Sequence, residues 1–169
     1  MTENIILWGA TTGRAMRAHW VLQEFSLPYE TKPIGPRTGE TQTAEYLAIN
    51  PKGKVPTLQH GDLILTESVA ILGYVTQNFD TPPDFFVPYD RYGKARLDEW
   101  SAFIAMELDA HSLYTMRRHG DLHKIYGRAP MAVDSAKEYE RDQRSAQNMA
   151  AQRELERKLQ EALAAKDAI

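Results

Sequence analysis

The first eighty residues alternate between strand and helix patterns, and this alternation limits the possible fold more than any other feature of the sequence. A short apolar run over residues 5–10 predicts the first strand. Apolar residues at helical spacing follow it: Ala15, Ala18, Leu22 and Phe25. Further strands and helices, separated by Gly and Pro, give the predicted order β-α-β-α-β-β-α over residues 1–80. We therefore expect an α/β domain, with the strand that ends near Pro33 at the edge of its sheet.

Strand patterns end at a proline-rich stretch over residues 81–88, which contains three prolines. We predict a domain boundary there. A long amphipathic helix over residues 90–118 is predicted from four apolar residues at helical spacing: Leu97, Trp100, Ile104 and Leu108. The second domain, residues 90–169, is accordingly expected to be all-α.

The last part of the chain predicts one further long helix. Residues 131–169 contain no Gly and no Pro, nine Ala and 15 charged residues, a composition that favours helix. The apolar stripe of this helix, formed by Leu155, Leu159 and Leu163, is narrow for a helix buried in a core. We expect the stripe to dock on a neighbouring chain or the segment to fray in solution.

Composition excludes several classes of protein. With 20 Lys+Arg against 23 Asp+Glu, the chain has a net charge of −3 and no basic field to attract nucleic acid or anionic lipid. Its apolar runs are far shorter than the roughly 20 residues of a membrane span, so a cytoplasmic location is expected. With no Cys, the chain has no thiol of its own to act as nucleophile, metal ligand or redox centre.

The strongest functional signal lies around Pro56. This proline starts a predicted strand, and a cis bond before it would turn the N–H and C=O of Val55 toward an extended peptide ligand. Ser68 opens the next predicted helix, where its hydroxyl and free backbone N–H groups suit a carboxylate, and Glu67 suits an ammonium. Glu67 and Ser68 therefore fit the head of an α-amino acid. Taken singly, Ser68 is a helix cap and Val55 the start of a strand.

In combination these residues resemble the glutathione transferase superfamily. The resemblance rests on nine short segments: Leu7-Trp8-Gly9, Arg14-Ala15-Met16-Arg17, Trp20-Val21-Leu22-Gln23-Glu24, Leu27-Pro28-Tyr29-Glu30, the loop from Gly39 to Thr43, Tyr46-Leu47, Asn50-Pro51, Val55-Pro56 and Thr66-Glu67-Ser68. It implies a thioredoxin-like N-terminal domain followed by an all-α domain, and a two-fold homodimer. Family members usually continue through several more helices, and no corresponding segment follows Pro130. We therefore expect the helical domain to be incomplete.

The resemblance also implies how glutathione, as co-substrate, would bind. The cysteinyl backbone of the tripeptide pairs with Val55, and its γ-glutamyl head meets Glu67 and Ser68. Lys54 corresponds to a residue near the glycyl end, with a solvated lysine as the alternative.

The position of the catalytic group follows from the same resemblance. Many members carry a hydroxyl or thiol in the loop after the first strand, where this chain has Thr12 with Thr11 as its neighbour. A hydroxyl hydrogen bond and the helix N-terminus would favour the glutathione thiolate, since a free thiol has a pKa of about 8.5. Threonine departs from the usual serine or cysteine, and a plain helix cap is the alternative role of Thr12.

Two functions are compatible with these residues. The first is transfer of the glutathione thiolate to small apolar electrophiles, and the alternative is a non-catalytic module that keeps the fold for protein binding. No metal is expected from His111, His119, His123 and Asp121. Their only regular helical ligand spacing is the i,i+4 pair His119/His123, and Gly120 weakens any helix there. Nucleotide binding is rejected, because the sequence around Gly53 lacks the other residues of a phosphate loop.

Overall fold

A computed structural model of the chain describes residues 4–167, without the side chains of residues 159–167. The chain divides into two compact units, the first ending at Lys94 and the second beginning at Ala95. Phe85 and Val87, from the proline-rich stretch, pack against the core of the first unit.

The first unit combines a sheet with helices and confirms the predicted thioredoxin-like order. Its elements are β1 (Ile5–Trp8), α1 (Gly13–Glu24), β2 (Tyr29–Lys32), a 3-10 helix (Glu40–Gln42), α2 (Ala44–Ile49), β3 (Thr57–His60), β4 (Leu63–Thr66) and α3 (Ser68–Asn78). The sheet order is β2-β1-β3-β4, with β1 and β2 parallel and the other pairs antiparallel. β2 therefore lies at an edge, as the proline after it predicts.

The register of the sheet brings two loops to the same end. Trp8, the last residue of β1, pairs with Lys32 and with Thr57, the first residue of β3. The loop after β1 and the segment before β3 consequently lie side by side. Thr12 belongs to the first of these segments and Val55 to the second.

The core of the first unit consists of apolar side chains from β1, α1, β3 and α3. Its buried members are Ile5, Leu7, Ala18, Val21, Leu22, Phe25, Leu58, Ile71 and Val75. Full burial of one of the larger side chains in this set stabilises the fold by about 1.5 to 3 kcal/mol. The face of α1 predicted from helical spacing is buried as expected, which fixes the start of α1 against the sheet.

The regular elements of the second unit are all helical among its described residues, which confirms the predicted all-α class. Its elements are α4 (Arg91–Phe103, whose first turn lies in the first unit), a π-helical segment (Ile104–Leu113), α5 (Tyr114–Met116), a second π-helical segment (Arg117–Asp121), α6 (His123–Tyr126) and α7 (Pro130–Asp167). No helix among the described residues is long and apolar enough to cross a membrane.

The π-helical segments are a departure from the single amphipathic α-helix predicted over residues 90–118. The buried Ser112 hydroxyl donates to the carbonyl of Glu107, five residues earlier, at 3.1 Å, and the Tyr114 N–H reaches the carbonyl of Asp109 at the same interval. A five-residue interval defines the π register. The apolar residues Leu97 and Trp100 remain 44% and 52% exposed, so their spacing predicted a helix without predicting burial.

A link between the first π-helical segment and α7 organises the second unit. The Tyr139 phenol on α7 donates to a Glu107 carboxylate oxygen, and the His111 ring lies edge-on to the Tyr139 ring with centroids 4.6 Å apart. This hydrogen bond raises the pKa of Tyr139 above its ordinary value. Farther along α7, Leu155 is exposed, whereas the side chains of Leu159 and Leu163 lie outside the described residues.

Candidate functional site

Three backbone segments of the first unit meet at one end of the sheet. They are the start of α1, the residues before β3 and the start of α3. Gly9, in the loop that leads into α1, lies against Val55, which precedes β3. A hydrogen bond of 3.4 Å from Arg17 Nη1 to Ser68 Oγ links α1 to α3. These contacts bring together the segments that carry the predicted glutathione-binding residues.

Thr12 is the N-cap of α1. Its backbone is extended, and its hydroxyl oxygen accepts a hydrogen bond from the Ala15 N–H at 3.1 Å. This is the capping role that sequence analysis kept as the alternative to catalysis. A hydroxyl has one donor and two acceptor positions, so Thr12 keeps a donor while it caps the helix. Thr11, its neighbour, is exposed.

The loop after β1 closely approaches Val55 at Gly9. Gly9 has φ of 99°, and a Cβ added there would lie 2.5 Å from the Val55 Cβ. Only glycine allows both the conformation and the approach. The Gly9 carbonyl is also within 2.9 Å of His19 Nε2, and His19 Nδ1 is 2.9 Å from the Tyr29 hydroxyl. Side chains from α1 and β2 thereby hold the loop against Val55.

The Val55–Pro56 peptide bond is cis, in the position where the sequence suggested it. In the part of the chain that the structure describes, neither the N–H nor the C=O of Val55 takes part in a hydrogen bond. An extended ligand can therefore pair with this residue as an added strand pairs with a sheet edge.

A buried polar cluster, here named the Lys54 clamp, holds the residue before Val55. It consists of Tyr46, Asn50 and Thr57, which are all essentially buried. The Lys54 carbonyl accepts hydrogen bonds from Tyr46 Oη at 2.5 Å and Asn50 Nδ2 at 2.8 Å. Thr57 Oγ1 lies 2.8 Å from the Tyr46 hydroxyl and 2.9 Å from Asn50 Nδ2. The clamp was not predicted from the sequence, because its members look like ordinary helix and strand residues until the fold joins them.

Glu67 and Ser68 stand at the start of α3. Glu67 is the N-cap residue, with φ of 71° in the left-handed region that favours glycine, and its side chain caps no N–H. Ser68 is the first residue of the helix and is 6% exposed. Its hydroxyl accepts the hydrogen bond from Arg17. The plain capping role considered for Ser68 is therefore wrong, since Glu67 occupies the cap position.

A lysine that sequence analysis did not single out contacts Glu67. Lys52 Nζ donates to Thr66 Oγ1 at 2.9 Å and to Glu67 Oε1 at 3.0 Å. The Lys52 N–H donates to Asn50 Oδ1 at 3.1 Å, which fixes the base of this side chain. Lys54, the predicted residue, has an exposed side chain. Sequence spacing showed two lysines around a glycine and could not show which one reaches Glu67.

Two imidazoles of the second unit, those of His119 and His123, contact main-chain carbonyls. His119 Nδ1 lies 3.1 Å from the Gly127 oxygen, and His123 Nδ1 lies 2.6 Å from the Gly120 oxygen. Among the described residues, no three His, Asp or Glu side chains are grouped to hold a metal ion.

A cavity of about 720 Å³ lies at the opposite end of the sheet. It is lined by Asn4, Ile5, Leu27, Pro28, Tyr29, Glu30, His60 and Phe79. Ile5 pairs with Tyr29 and with His60 at that end, whereas the candidate site adjoins Trp8 and Thr57. The cavity and the candidate site are therefore separate.

Comparison with known proteins agrees with this architecture. Residues 3–77 match the family model of the glutathione S-transferase N-terminal domain. The glutathione S-transferase-like protein gedE of Aspergillus terreus is 36% identical over 103 residues, which are 60% of this chain and 45% of that protein. Human glutathione S-transferase theta-2 is 42% identical over 79 residues, which are 47% of this chain and 32% of that protein. The matched region thus spans less than half the length of these curated relatives.

A solved structure gives the same result for the fold. The theta class glutathione S-transferase of Xanthomonas axonopodis pv. citri, determined with glutathione bound, superposes with a TM-score of 0.72 at 24% identity. The match covers 88% of this chain and 70% of that chain. Residues 3–77 of the chain therefore resemble the glutathione S-transferase N-terminal domain in sequence, and the chain shares the glutathione transferase fold.

Proposed function

We propose that this protein binds glutathione and transfers its thiolate to small apolar electrophiles. The observation that carries the proposal is the juxtaposition, within one unit, of an unpaired Val55 backbone and a helix start with Glu67 and Ser68. The unpaired backbone of Val55 can pair with the cysteinyl backbone of the tripeptide. The start of α3 suits the α-carboxylate of the γ-glutamyl head at Ser68, with Glu67 beside it. The named relatives and their family model support the same activity.

In this binding mode the thiol lies near the start of α1. Lowering a thiol pKa by ~2 units requires about 2.7 kcal/mol of preferential stabilisation of the thiolate. Two groups can contribute: the partial positive charge of the helix N-terminus and the unused donor of the Thr12 hydroxyl. Because Thr12 accepts from Ala15 and can still donate, capping and thiolate stabilisation are compatible at this residue.

The remaining parts of the proposal rest on the family. Lys54 lies near the glycyl carboxylate, the electrophile is a small apolar compound, the protein forms a homodimer and it acts in the cytoplasm. Holding thiolate and electrophile together then accelerates a reaction that is otherwise bimolecular.

The test combines glutathione affinity, measured by calorimetry, with turnover of an activated aryl halide by the same preparation. S-methylglutathione, which lacks the reactive thiol, serves as a matched ligand that binds without turnover. Saturable binding together with turnover supports the proposal. Binding without turnover would favour the non-catalytic module, and absence of binding would contradict both the binding site and the activity.

A further inference from the structure

We propose that Lys52 sets the specificity of the γ-glutamyl subsite, so that the subsite selects the ligand by its α-carboxylate and is nearly indifferent to its α-ammonium. This inference rests on the proposed binding of glutathione and concerns a residue to which the resemblance assigns no role.

The geometry of Lys52 shows that Glu67 already has a cationic partner. The Lys52 ammonium lies 3.0 Å from Glu67 Oε1, and it is held there by Thr66 Oγ1 at 2.9 Å. At the other end of the same side chain, the backbone N–H is fixed by the buried Asn50. A ligand ammonium that approaches Glu67 therefore meets Lys52 at the same carboxylate.

The cationic groups around the helix start point in the same direction. Lys52 and Arg17 both bring a cationic group to the start of α3, through the contacts with Glu67 and Ser68 given above. The helix N-terminus adds partial positive charge. This arrangement attracts an anionic group of the ligand strongly.

The ligand ammonium gains little at this subsite. Its attraction to Glu67 is offset by repulsion from the Lys52 ammonium, because that ammonium already lies at the carboxylate that the ligand would approach, and the pair is exposed to solvent. Glu67 and Lys52 have side chains that are 69% and 55% exposed, so neither interaction is strengthened by burial. The α-carboxylate at Ser68 consequently dominates recognition of the head.

The experiment compares two ligands on each protein by calorimetry. They are glutathione and its des-amino analogue, glutaryl-cysteinylglycine, which lacks only the α-ammonium. In the parent protein we expect the two dissociation constants to agree within about threefold, and in Lys52→Met we expect the des-amino ligand to bind about tenfold more weakly than glutathione. A ratio of two ligands on one protein is insensitive to a general loss of folded protein.

Two matched variants test whether charge at residue 52 is responsible. Lys52→Arg keeps the cation and should keep the parent ratio. Lys54→Met removes the neighbouring lysine and should weaken both ligands by the same factor, which leaves the ratio unchanged.

The outcomes separate this inference from the proposed function. The deciding quantity is the dissociation constant of the des-amino ligand divided by that of glutathione. A ratio of about tenfold or more in the parent protein, or an equal ratio in Lys52→Met and the parent, overturns the role of Lys52 while glutathione binding stands. Failure of the parent protein to bind glutathione overturns the proposed function and this inference with it.

Discussion

The Tyr46 phenol donates a hydrogen bond of 2.5 Å to the carbonyl of Lys54, eight residues farther along the chain. The bond joins α2 to the segment before β3 and has a second donor, Asn50, beside it. Because Lys54 directly precedes Val55, a helix that contributes no predicted ligand contact controls the backbone expected to pair with glutathione. The site thus depends on buried residues outside the predicted ligand contacts.

Replacing Tyr46 by Phe tests this dependence. The change leaves the Lys54 carbonyl and the Thr57 hydroxyl with one partner fewer in a buried environment, so we expect the free energy of unfolding to fall by about 1 to 3 kcal/mol. Glutathione affinity should fall several-fold in protein that is still folded. Denaturant unfolding and calorimetry measure the two effects.

The matched control is Tyr89→Phe, because Tyr89 is 88% exposed. It should change neither quantity. A double variant, Tyr46→Phe with Thr57→Val, should lose further stability, because Thr57→Val leaves one buried Asn50 Nδ2–H without its acceptor. Equal stability of Tyr46→Phe and the parent would show that the clamp contributes nothing.

Removing the Ser68 hydroxyl should weaken glutathione binding. Ser68→Ala deletes a hydrogen bond to the charged γ-glutamyl head, and such bonds contribute about 1.5 to 3 kcal/mol. Calorimetric titration measures the loss, with Ser135→Ala on the exposed part of α7 as the control. Unchanged affinity in Ser68→Ala would remove this residue from the binding site.

Two substitutions at Thr12 separate capping from thiolate stabilisation. Thr12→Val should cost about 1 kcal/mol of stability through loss of the cap and should also raise the pKa of the bound thiol. Thr12→Asp retains a capping oxygen and has no donor when ionised, so it should keep stability while it loses turnover. Thiolate absorbance as a function of pH reports the thiol directly. Parent-like activity in Thr12→Asp would place the catalytic group elsewhere, with Thr11 or a backbone N–H as the next candidate.

Sequence patterns predicted the fold of the first unit well, because its signals are local. The spacing of Ala15, Ala18 and Leu22 reports a buried helix face, and Pro33 reports an edge strand. The same reasoning failed where the deciding contact is distant in sequence. Lys52 reaches Glu67 across 15 positions, and nothing in the spacing of the two lysines distinguishes it from Lys54.

Helical periodicity predicted the second unit less completely. It correctly indicated helix at Leu97 and Trp100, yet it could not indicate a π register. That register is associated with a side chain bond, from Ser112 to the carbonyl of Glu107. A pattern of apolar residues identifies the apolar face of a helix. It does not show how much of that face other parts of the protein bury.

Alkaline pH should lower the stability of the second unit, because it ionises the Tyr139 phenol. Its hydrogen bond to Glu107 requires the neutral phenol, so the pKa of Tyr139 is raised above its ordinary value of 10.0. The stabilisation is therefore complete below about pH 10 and is lost as pH rises through the raised pKa. Thermal unfolding of the parent and of Tyr139→Phe should differ at neutral pH and converge at strongly alkaline pH. A stability difference that stays constant across this range would contradict the assignment.

The distal part of α7 should be dispensable for glutathione binding. Every predicted ligand contact lies in the first unit, and the side chains of residues 148–158 are exposed along the helix. An isolated helix gains little stability without packing, so amides in this stretch should exchange with solvent faster than those of β1 and β3. Truncation after Arg153 should consequently leave the calorimetric affinity for glutathione unchanged. Slow exchange throughout residues 155–165 in a verified monomer, or loss of binding on truncation, would show instead that this end of α7 is part of the folded core, because only packed backbone resists exchange in a helix of this composition.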